Sequence, residues 1–189
     1  IGAALTEAGS DVWLINRNAA AVDAMDRHGL TLVTPQGERV VPVHAATRCR
    51  GIGAADLVIV LVKSFDTREA ITQAGDIVGP DTAVLSLQNG LGHEAILAEV
   101  VGRERVLAGK TYVGGVLLGP GRLISGTAGK DTYIGELDGS LSERVQAIAA
   151  EFNRAGLATS VSTNIIGTMW DKLLVNVATG ALSGITRLT

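Results

Sequence analysis

The sequence has very little cysteine, proline or aromatic side chain. Its 189 residues include one cysteine and four prolines, and 3% of them are aromatic. A single cysteine cannot form an internal disulfide. Proteins without disulfides are typical of a reducing cytoplasm, and we expect this protein to act there. Cys49 lies in a short polar connection with no histidine at a motif spacing. We therefore do not expect it to be a nucleophile.

Long apolar runs and clustered charge of one sign are also missing. The longest apolar runs, such as residues 57–62, are far shorter than the ~20 residues that cross a bilayer. The net charge is −3 and the 16 lysines and arginines are spread along the chain, so no basic patch for nucleic acid is evident. We expect a small-molecule partner, no nucleic acid, no membrane and no metal.

The apolar residues that are present alternate between strand-like and helix-like patterns. The composition is 47% hydrophobic with 24 glycines, which suits a domain with many tight strand-to-helix turns. Apolar strand patterns at 11–15, 57–62 and 82–87 are each followed by a helical pattern, at 18–28, 65–74 and 91–100. This alternation predicts an α/β fold of the Rossmann type, with a doubly wound, mostly parallel sheet.

The remaining segments predict additions to that sheet. Residues 30–33 and 40–43 form a predicted hairpin, and the glycine-broken stretch 106–134 predicts further antiparallel hairpins. A helix at 141–155 and a short strand at 158–161 precede a last helix that begins near Asn164. We place a boundary near 160, with a nucleotide-binding domain at 1–160 and the start of an all-α domain at 161–189.

Polar residues follow the predicted parallel strands, where open α/β sheets bind their ligands. These are Asn16-Arg17, Lys63 and Gln88-Asn89-Gly90. Arg17 stands where a carboxylate would bind the ribose of NAD, and its guanidinium suits the 2′-phosphate of NADP. Arg17 and Lys63 are equally compatible with solvated surface cations, and Asn89-Gly90 with a simple turn.

The last helix is apolar nearly all round, which predicts that it is buried. Its polar side chains fall within an arc of roughly 80° at about 100° per residue: Thr168, Lys172, Asn176, Thr179 and Ser183. A buried, unpaired ammonium group is costly, so this stripe predicts a ligand cleft. The alternative is that the stripe faces water while the apolar sides pack on neighbours.

Taken together, these residues resemble the ketopantoate reductase (2-dehydropantoate 2-reductase) family over essentially the whole chain. The most specific segments are Gln88-Asn89-Gly90-Leu91-Gly92 and Trp170-Asp171-Lys172-Leu173-Leu174-Val175-Asn176. Weaker ones are Gly2-Ala3-Ala4-Leu5 with Gly9, Asn16-Arg17 and Val62-Lys63. The resemblance implies NADPH-dependent reduction of a 2-oxo acid, which is 2-dehydropantoate in the synthesis of pantothenate and coenzyme A.

The resemblance also implies roles for individual residues. Lys172 is implied as the general acid and Asn176 as a substrate ligand. The implied cofactor contacts are Arg17, Lys63, Asn89 and, more loosely, Gly115, and Asn89 is also implied to lie near the substrate. A homodimer of the full-length protein is a further expectation.

Two departures from the family pattern limit these expectations. Gly180 stands where the family has an asparagine, so a paralogous reductase of another 2-oxo acid is an alternative. The first strand of the nucleotide-binding domain and its Gly-x-Gly-x-x-Gly loop are absent, and further helices after Thr189 would be needed to complete the family's substrate domain. We expect the chain to be a fragment with little activity of its own. An alternative of another class is a non-catalytic NADP-binding module.

Overall fold

The structure is a computed structural model that describes residues 1–187. The helices of this part of the chain are α1 (Gly2–Glu7), α2 (Ala19–His28), α3 (Thr67–Gln73), α4 (His93–Val101), α5 (Glu143–Arg154) and α6 (Ile165–Thr186). The strands are β1 (Trp13–Ile15), β2 (Leu30–Thr34), β3 (Gly37–Val41), β4 (His44–Ala46), β5 (Leu57–Val60), β6 (Ala83–Ser86), β7 (Val106–Thr111), β8 (Gly114–Gly119), β9 (Arg122–Gly126), β10 (Thr132–Glu136) and β11 (Thr159–Val161).

A five-stranded sheet with the order β11-β10-β7-β6-β5 forms the centre of the fold. Strands β5, β6 and β7 are parallel, whereas β10 runs antiparallel to β7. Successive side chains of a strand point to opposite faces. Leu85 accordingly packs with Phe152 of α5 on one face, while Val84 packs with Leu97 of α4 on the other. Helices thus cover both faces, and the predicted α/β, Rossmann-like fold is confirmed.

A separate pair of parallel strands, β1 and β4, stands beside this sheet. Among the described residues, β1 hydrogen-bonds only to β4, and β5 only to β6. The open edges of β1 and β5 border a cleft of about 2440 Å³. Trp13 and Ile15 of β1 remain 41% and 42% exposed there. The parallel strands are therefore interrupted by a gap between β1 and β5.

A third sheet, with the order β3-β2-β9-β8, contains the predicted hairpins. The hairpin of β2 and β3 closes between Thr34 and Gly37, and β8 pairs antiparallel with β9. Strand β7, at the start of the stretch predicted as hairpins, instead pairs parallel with β6. The reason is its burial, since every residue of Val106–Thr111 is enclosed. The sequence prediction also missed the short strand β4.

The long last helix was predicted correctly, but its complete burial was not. Asn164 caps α6, because its Oδ1 accepts a hydrogen bond of 3.1 Å from the backbone N–H of Gly167. Met169 is buried against Ala108 of β7, whereas Leu174 and Val175 are 62% and 61% exposed. Within the described part of the chain, the first turns of α6 pack on β7 and β10, and no surface covers the later turns. Residues 188 and 189 of the predicted helical domain lie outside the described residues.

No helix in the described part of the chain combines the length and hydropathy that a membrane span requires.

Candidate active site

Lys172 on α6 lies between the ends of two strands of the central sheet. Its Nζ donates a hydrogen bond of 2.8 Å to Oδ1 of Asn89, which follows β6. It donates a second, of 2.6 Å, to the backbone carbonyl of Thr111 at the end of β7. The structure thus brings together two predicted site residues, Lys172 and Asn89, that are 83 positions apart.

The half-buried ammonium group of Lys172 has no carboxylate partner among the described residues. Burial lowers the pKa of Lys172 below its ordinary value, and the positive charge of Lys110 lowers it further. A lysine in this condition gives up its proton more readily than a solvated one. Lys172 is therefore suited to transfer a proton to a ligand in the cleft.

Lys110 and two tyrosines adjoin Lys172, and sequence reasoning assigned none of them a role. Lys110 is only 8% exposed. Its Nζ lies 5.4 Å from the ring centroid of Tyr112 and 4.8 Å from that of Tyr133. The Nζ of Lys172 lies 5.3 Å from the same Tyr112 ring. A charged residue inside the apolar run of β7 was the signal that could have identified Lys110.

Asn176, one turn after Lys172, borders a small cavity that Lys172 also lines. That cavity has a volume of about 10 Å³ and is lined also by Asn89 and Lys110. It has room for about one water molecule. Asn176 is exposed, and its side chain has no hydrogen bond within the described residues. Its amide is thus available to a ligand of the site.

The rest of the polar stripe on α6 does not need a ligand. The hydroxyl groups of Thr168, Thr179 and Ser183 donate to backbone carbonyls of their own helix or its cap, at Asn164, Val175 and Thr179. Such bonds satisfy Ser and Thr within a helix. Of the members of the stripe, Lys172 borders the large cleft, and Lys172 and Asn176 border a small cavity beside it.

Arg17, directly after β1, is held by a carboxylate that the sequence did not predict. Its Nη2 is 2.7 Å from Oδ2 of Asp66 and its Nη1 is 3.3 Å from Oδ1. The Arg17 side chain is 66% exposed, whereas that of Asp66 is 16% exposed. This two-point contact orients the guanidinium group while leaving much of it accessible to an anion.

Lys63 and Gly115 differ in how they lie relative to the cleft. Lys63 is exposed and, within the described residues, its ammonium group makes no hydrogen bond or ion pair. It borders the large cleft together with Arg17, Asn89 and Lys172. Gly115 lies in β8 opposite Ser125. Its neighbour Gly114, and not Gly115, is among the described residues that border the cleft.

The remaining nucleophilic side chain, Cys49, is enclosed. It is 4% exposed, and burial, with the nearby charge of Asp76, raises the pKa of its thiol. A thiol of this kind is inert, because the thiolate is the reactive form. Cys49 is therefore not a candidate nucleophile of the cleft.

Comparison with known proteins gives a family and several relatives. The family described as "Ketopantoate reductase PanE/ApbA" matches residues 1–139. The chain is 35% identical over 186 residues to a 2-dehydropantoate 2-reductase of Halobacterium salinarum, covering 98% of this chain and 61% of that protein. The chain thus spans less than two thirds of the length of this relative.

Solved structures of similar fold include a family member and an enzyme of another name. A PanE/ApbA family ketopantoate reductase from Ralstonia eutropha matches with a TM-score of 0.86 at 33% identity, over 99% of this chain and 60% of that one. A D-mandelate dehydrogenase, solved with NADH and anilino(oxo)acetate, matches with a TM-score of 0.88 at 25% identity, over 99% and 60% of the two chains. The same fold therefore occurs with more than one substrate.

Proposed function

Because the chain belongs to the ketopantoate reductase family, we propose that the protein that carries it reduces a 2-oxo acid with NADPH. The proposed acid is 2-dehydropantoate, and its product is pantoate for the synthesis of pantothenate and coenzyme A. One observation carries the proposal. The half-buried Lys172 borders the cleft with two of its donors committed to Asn89 and Thr111.

The cations of the cleft fit an anionic dinucleotide. Lys63 is an exposed ammonium group without a partner among the described residues, and Arg17 is a largely exposed, oriented guanidinium group. In the proposed complex Arg17 binds the 2′-phosphate, Lys63 a phosphate oxygen, and Asn89 the nicotinamide end. Gly115 stays a prediction from the family resemblance. When bound, NADPH supplies the hydride that adds to the 2-oxo carbon.

Lys172 performs the proton transfer in this proposal. An ammonium group has three N–H donors. Two of the donors of Lys172 bond to Asn89 and Thr111, which leaves the third for the carbonyl oxygen of the substrate. Negative charge develops on that oxygen during reduction, and Lys172 stabilises it and donates the proton that makes the hydroxyl group. The lowered pKa of Lys172 assists this step.

Two asparagines orient the substrate in the same proposal. Oδ1 of Asn89 accepts from Lys172, so the amide N–H groups of Asn89 face elsewhere and can donate to a ligand oxygen. Asn176 lies one turn from Lys172 on the same side of α6 and borders the same small cavity. Holding the acid from two sides near Lys172 places its carbonyl for reaction.

A second candidate is a reductase of a different 2-oxo acid. The observation that favours it is Gly180, which stands where the family has an asparagine. Among the described residues outside its own helix turn, an added Cβ at Gly180 would meet no atom within 4 Å, so they leave the space of that side chain open. An open site of this kind could admit a bulkier acid, and one solved structure of this fold is a D-mandelate dehydrogenase.

Replacement of Lys172 tests the mechanism. In the protein that carries this chain, Lys172→Ala should lower kcat by about 10²–10⁴-fold, the usual contribution of general acid catalysis. The dissociation constant for NADPH, measured by its fluorescence, should stay within about twofold. Rates with 2-dehydropantoate and with 2-oxo-2-phenylacetate distinguish the two candidate substrates.

Lys130→Ala serves as the matched control, because Lys130 is exposed in a turn far from α6 in the sequence. An unchanged kcat in Lys172→Ala would refute the proposed role. Binding of NADPH without turnover of any 2-oxo acid by the unmodified protein would favour the non-catalytic binding module.

The assembly and location of the protein are part of the same proposal. We expect a homodimer in the cytoplasm that acts on a small molecule. Light scattering of the purified protein tests the dimer, since it gives the mass in solution directly.

A further inference from the structure

Lys110 is a buried cation that the proposed mechanism does not use. It is 8% exposed, and its ammonium group has neither a carboxylate partner nor a hydrogen bond among the described residues. Its ammonium group instead lies against the rings of Tyr112 and Tyr133. A ring face attracts a cation, but this attraction offsets only part of the cost of burying it. Stability therefore does not explain why a lysine occupies this buried position.

The surroundings of Lys110 exclude direct contact with a substrate. The small cavity that Lys110 borders has a volume of about 10 Å³, enough for about one water molecule. Among the described residues that border the large cleft are Lys172 and Asn89, whereas Lys110 is not one of them. Any effect of Lys110 on the reaction must therefore act through a neighbour.

That neighbour is Lys172. Both ammonium groups lie within 5.5 Å of the centroid of the same Tyr112 ring, at 5.4 Å and 5.3 Å. Two like charges in a partly desolvated region repel each other, and the charge of Lys110 acts on Lys172 in this way. The bonds of Lys172 to Asn89 and Thr111 hold its ammonium group in place despite this repulsion.

We propose that Lys110 is a positioning residue for Lys172, whose charge across Tyr112 makes the Lys172 proton easier to donate. The proposal rests on the proposed function of Lys172 as the general acid. It adds a residue that acts without touching the substrate or the cofactor. The direction agrees with the chemistry required, since a like charge disfavours the charged form of its neighbour.

Other titratable groups around Lys172 do not oppose this effect. Strand β7 and the residue after it contribute Lys110 and Tyr112, and β10 contributes Tyr133 and Glu136. Glu136 is bonded to Arg144 and Ser142. On α6 the adjacent Asp171 is exposed. After burial, the charge of Lys110 is the cause that lowers the pKa of Lys172.

The test removes the charge of Lys110 and follows Lys172 in two ways. In the protein that carries this chain, Lys110→Met and Lys110→Gln remove the charge and Lys110→Arg keeps it. The first measurement is the rate at which Lys172 is acylated by an amine-reactive reagent, resolved by mass spectrometry between pH 7 and 10. The second is the pH profile of kcat for NADPH-dependent reduction.

The expected result is a shift of both profiles to higher pH in the neutral variants. Acylation of Lys172 at pH 8 should slow several-fold, because the unprotonated amine is the reactive form. The alkaline fall of kcat should move upward by the same interval, while Lys110→Arg should resemble the unmodified protein. Lys110→Gln covers the case in which Lys110→Met does not fold.

Three results would contradict the positioning role of Lys110 or the proposed function. Unchanged profiles in folded neutral variants would overturn the positioning role. A raised KM with an unchanged pH profile would show that Lys110 binds the substrate instead. A shifted acylation profile in a protein that reduces no 2-oxo acid would support the effect of Lys110 and reject the proposed function.

Discussion

In the proposed function, the choice between NADPH and NADH depends on the guanidinium group of Arg17 and its carboxylate partner. Asp66 is much less exposed than Arg17 and holds it from the protein side. Exposed ion pairs contribute about 0–1 kcal/mol. A 2′-phosphate brings more charge and more acceptor oxygens than Asp66, so it can bind the outward side of the guanidinium group. The pair is therefore better understood as an orienting contact than as a source of stability.

Arg17→Ala should weaken NADPH binding much more than NADH binding. Loss of a charge-assisted, two-point contact costs about 1.5–3 kcal/mol, equivalent to a roughly 10–150-fold higher dissociation constant. NADH lacks the 2′-phosphate and should lose about twofold or less. Fluorescence titration of both nucleotides measures the ratio. The matched control is Arg27→Ala, which removes an exposed arginine paired with Asp23 on α2. Equal losses for the two nucleotides would remove the phosphate assignment.

The sequence allowed some of these residues to be predicted and not others. Strand ends identified Arg17, Lys63 and Asn89, because the carboxyl ends of parallel strands share one edge. The helix pattern identified Lys172. Lys110 and Asp66 could not be predicted as partners, since their contacts join segments far apart in the chain and depend on packing. The roles of all these site residues, and those of Gly115 and Asn176, stay predictions.

At the scale of elements, a cluster formed by Ser142, Arg144 and the buried Glu136 joins α5 to β10. Ser142 caps α5 by accepting from the backbone N–H of Val145, and it also donates to Glu136 of β10. Arg144 bonds both oxygens of Glu136, at 2.7 Å and 2.6 Å. Burial opposes ionisation of Glu136, and the bonds from Arg144 and Ser142 outweigh it, so its pKa lies below the ordinary value. The helix is thus attached to the sheet by an ionised carboxylate.

Glu136→Gln should destabilise the fold at neutral pH and have less effect in acid. A carboxylate with a lowered pKa stabilises the folded state above its unfolded pKa, and this contribution is lost as the pH falls through the folded pKa. The gap in Tm between the variant and the unmodified chain should therefore narrow below about pH 4. Thermal unfolding followed by circular dichroism from pH 7 to pH 3 measures it.

The control for Glu136 is Glu7→Gln, which breaks the more exposed pair with Arg39. This pair should contribute little, so the Tm at pH 7 should fall less than in Glu136→Gln. A Tm difference for Glu136→Gln that stays constant with pH would mean that its charge does not stabilise the fold.

Elements whose sequence pattern lies in neighbouring residues could be predicted, whereas elements that depend on distant pairing partners could not. The apolar runs of β5 and β6 and the cap of α6 at Asn164 follow from neighbouring residues alone. The parallel pairing of β7 and the short strand β4 depend on partners distant in sequence, and they were missed. Burial of α6 was overestimated for a related reason. Its apolar later turns, at Leu174 and Val175, would be buried only by a surface that the described residues do not provide.

For the whole molecule, the gap between β1 and β5 is the main irregularity. A strand with one open edge presents unpaired backbone N–H and C=O groups. The carbonyls of Asp56 and Val60 accept from Ala83 and Leu87, so the even-numbered residues of this segment face β6. Leu57, Ile59 and Leu61 therefore turn their backbone groups to the gap. The gap supports our proposal that another strand of the nucleotide-binding domain completes the sheet.

Hydrogen exchange of the 189-residue chain should show this open edge as an alternation along β5. The amides of Val58 and Val60 point to β6 and should be protected, whereas those of Leu57, Ile59 and Leu61 should exchange much faster, because protection requires a hydrogen-bonded partner. The measurement is residue-resolved exchange by NMR, with the amides of β6 as the internal control, since β6 is paired on both sides. In a longer form of the protein whose added segment fills the gap, Ile59 should become as protected as Val58. Equal protection of Ile59 and Val58 in the 189-residue chain alone would show that the edge of β5 is already covered. The sheet would then need no further strand, and the proposed domain organisation would have to be abandoned.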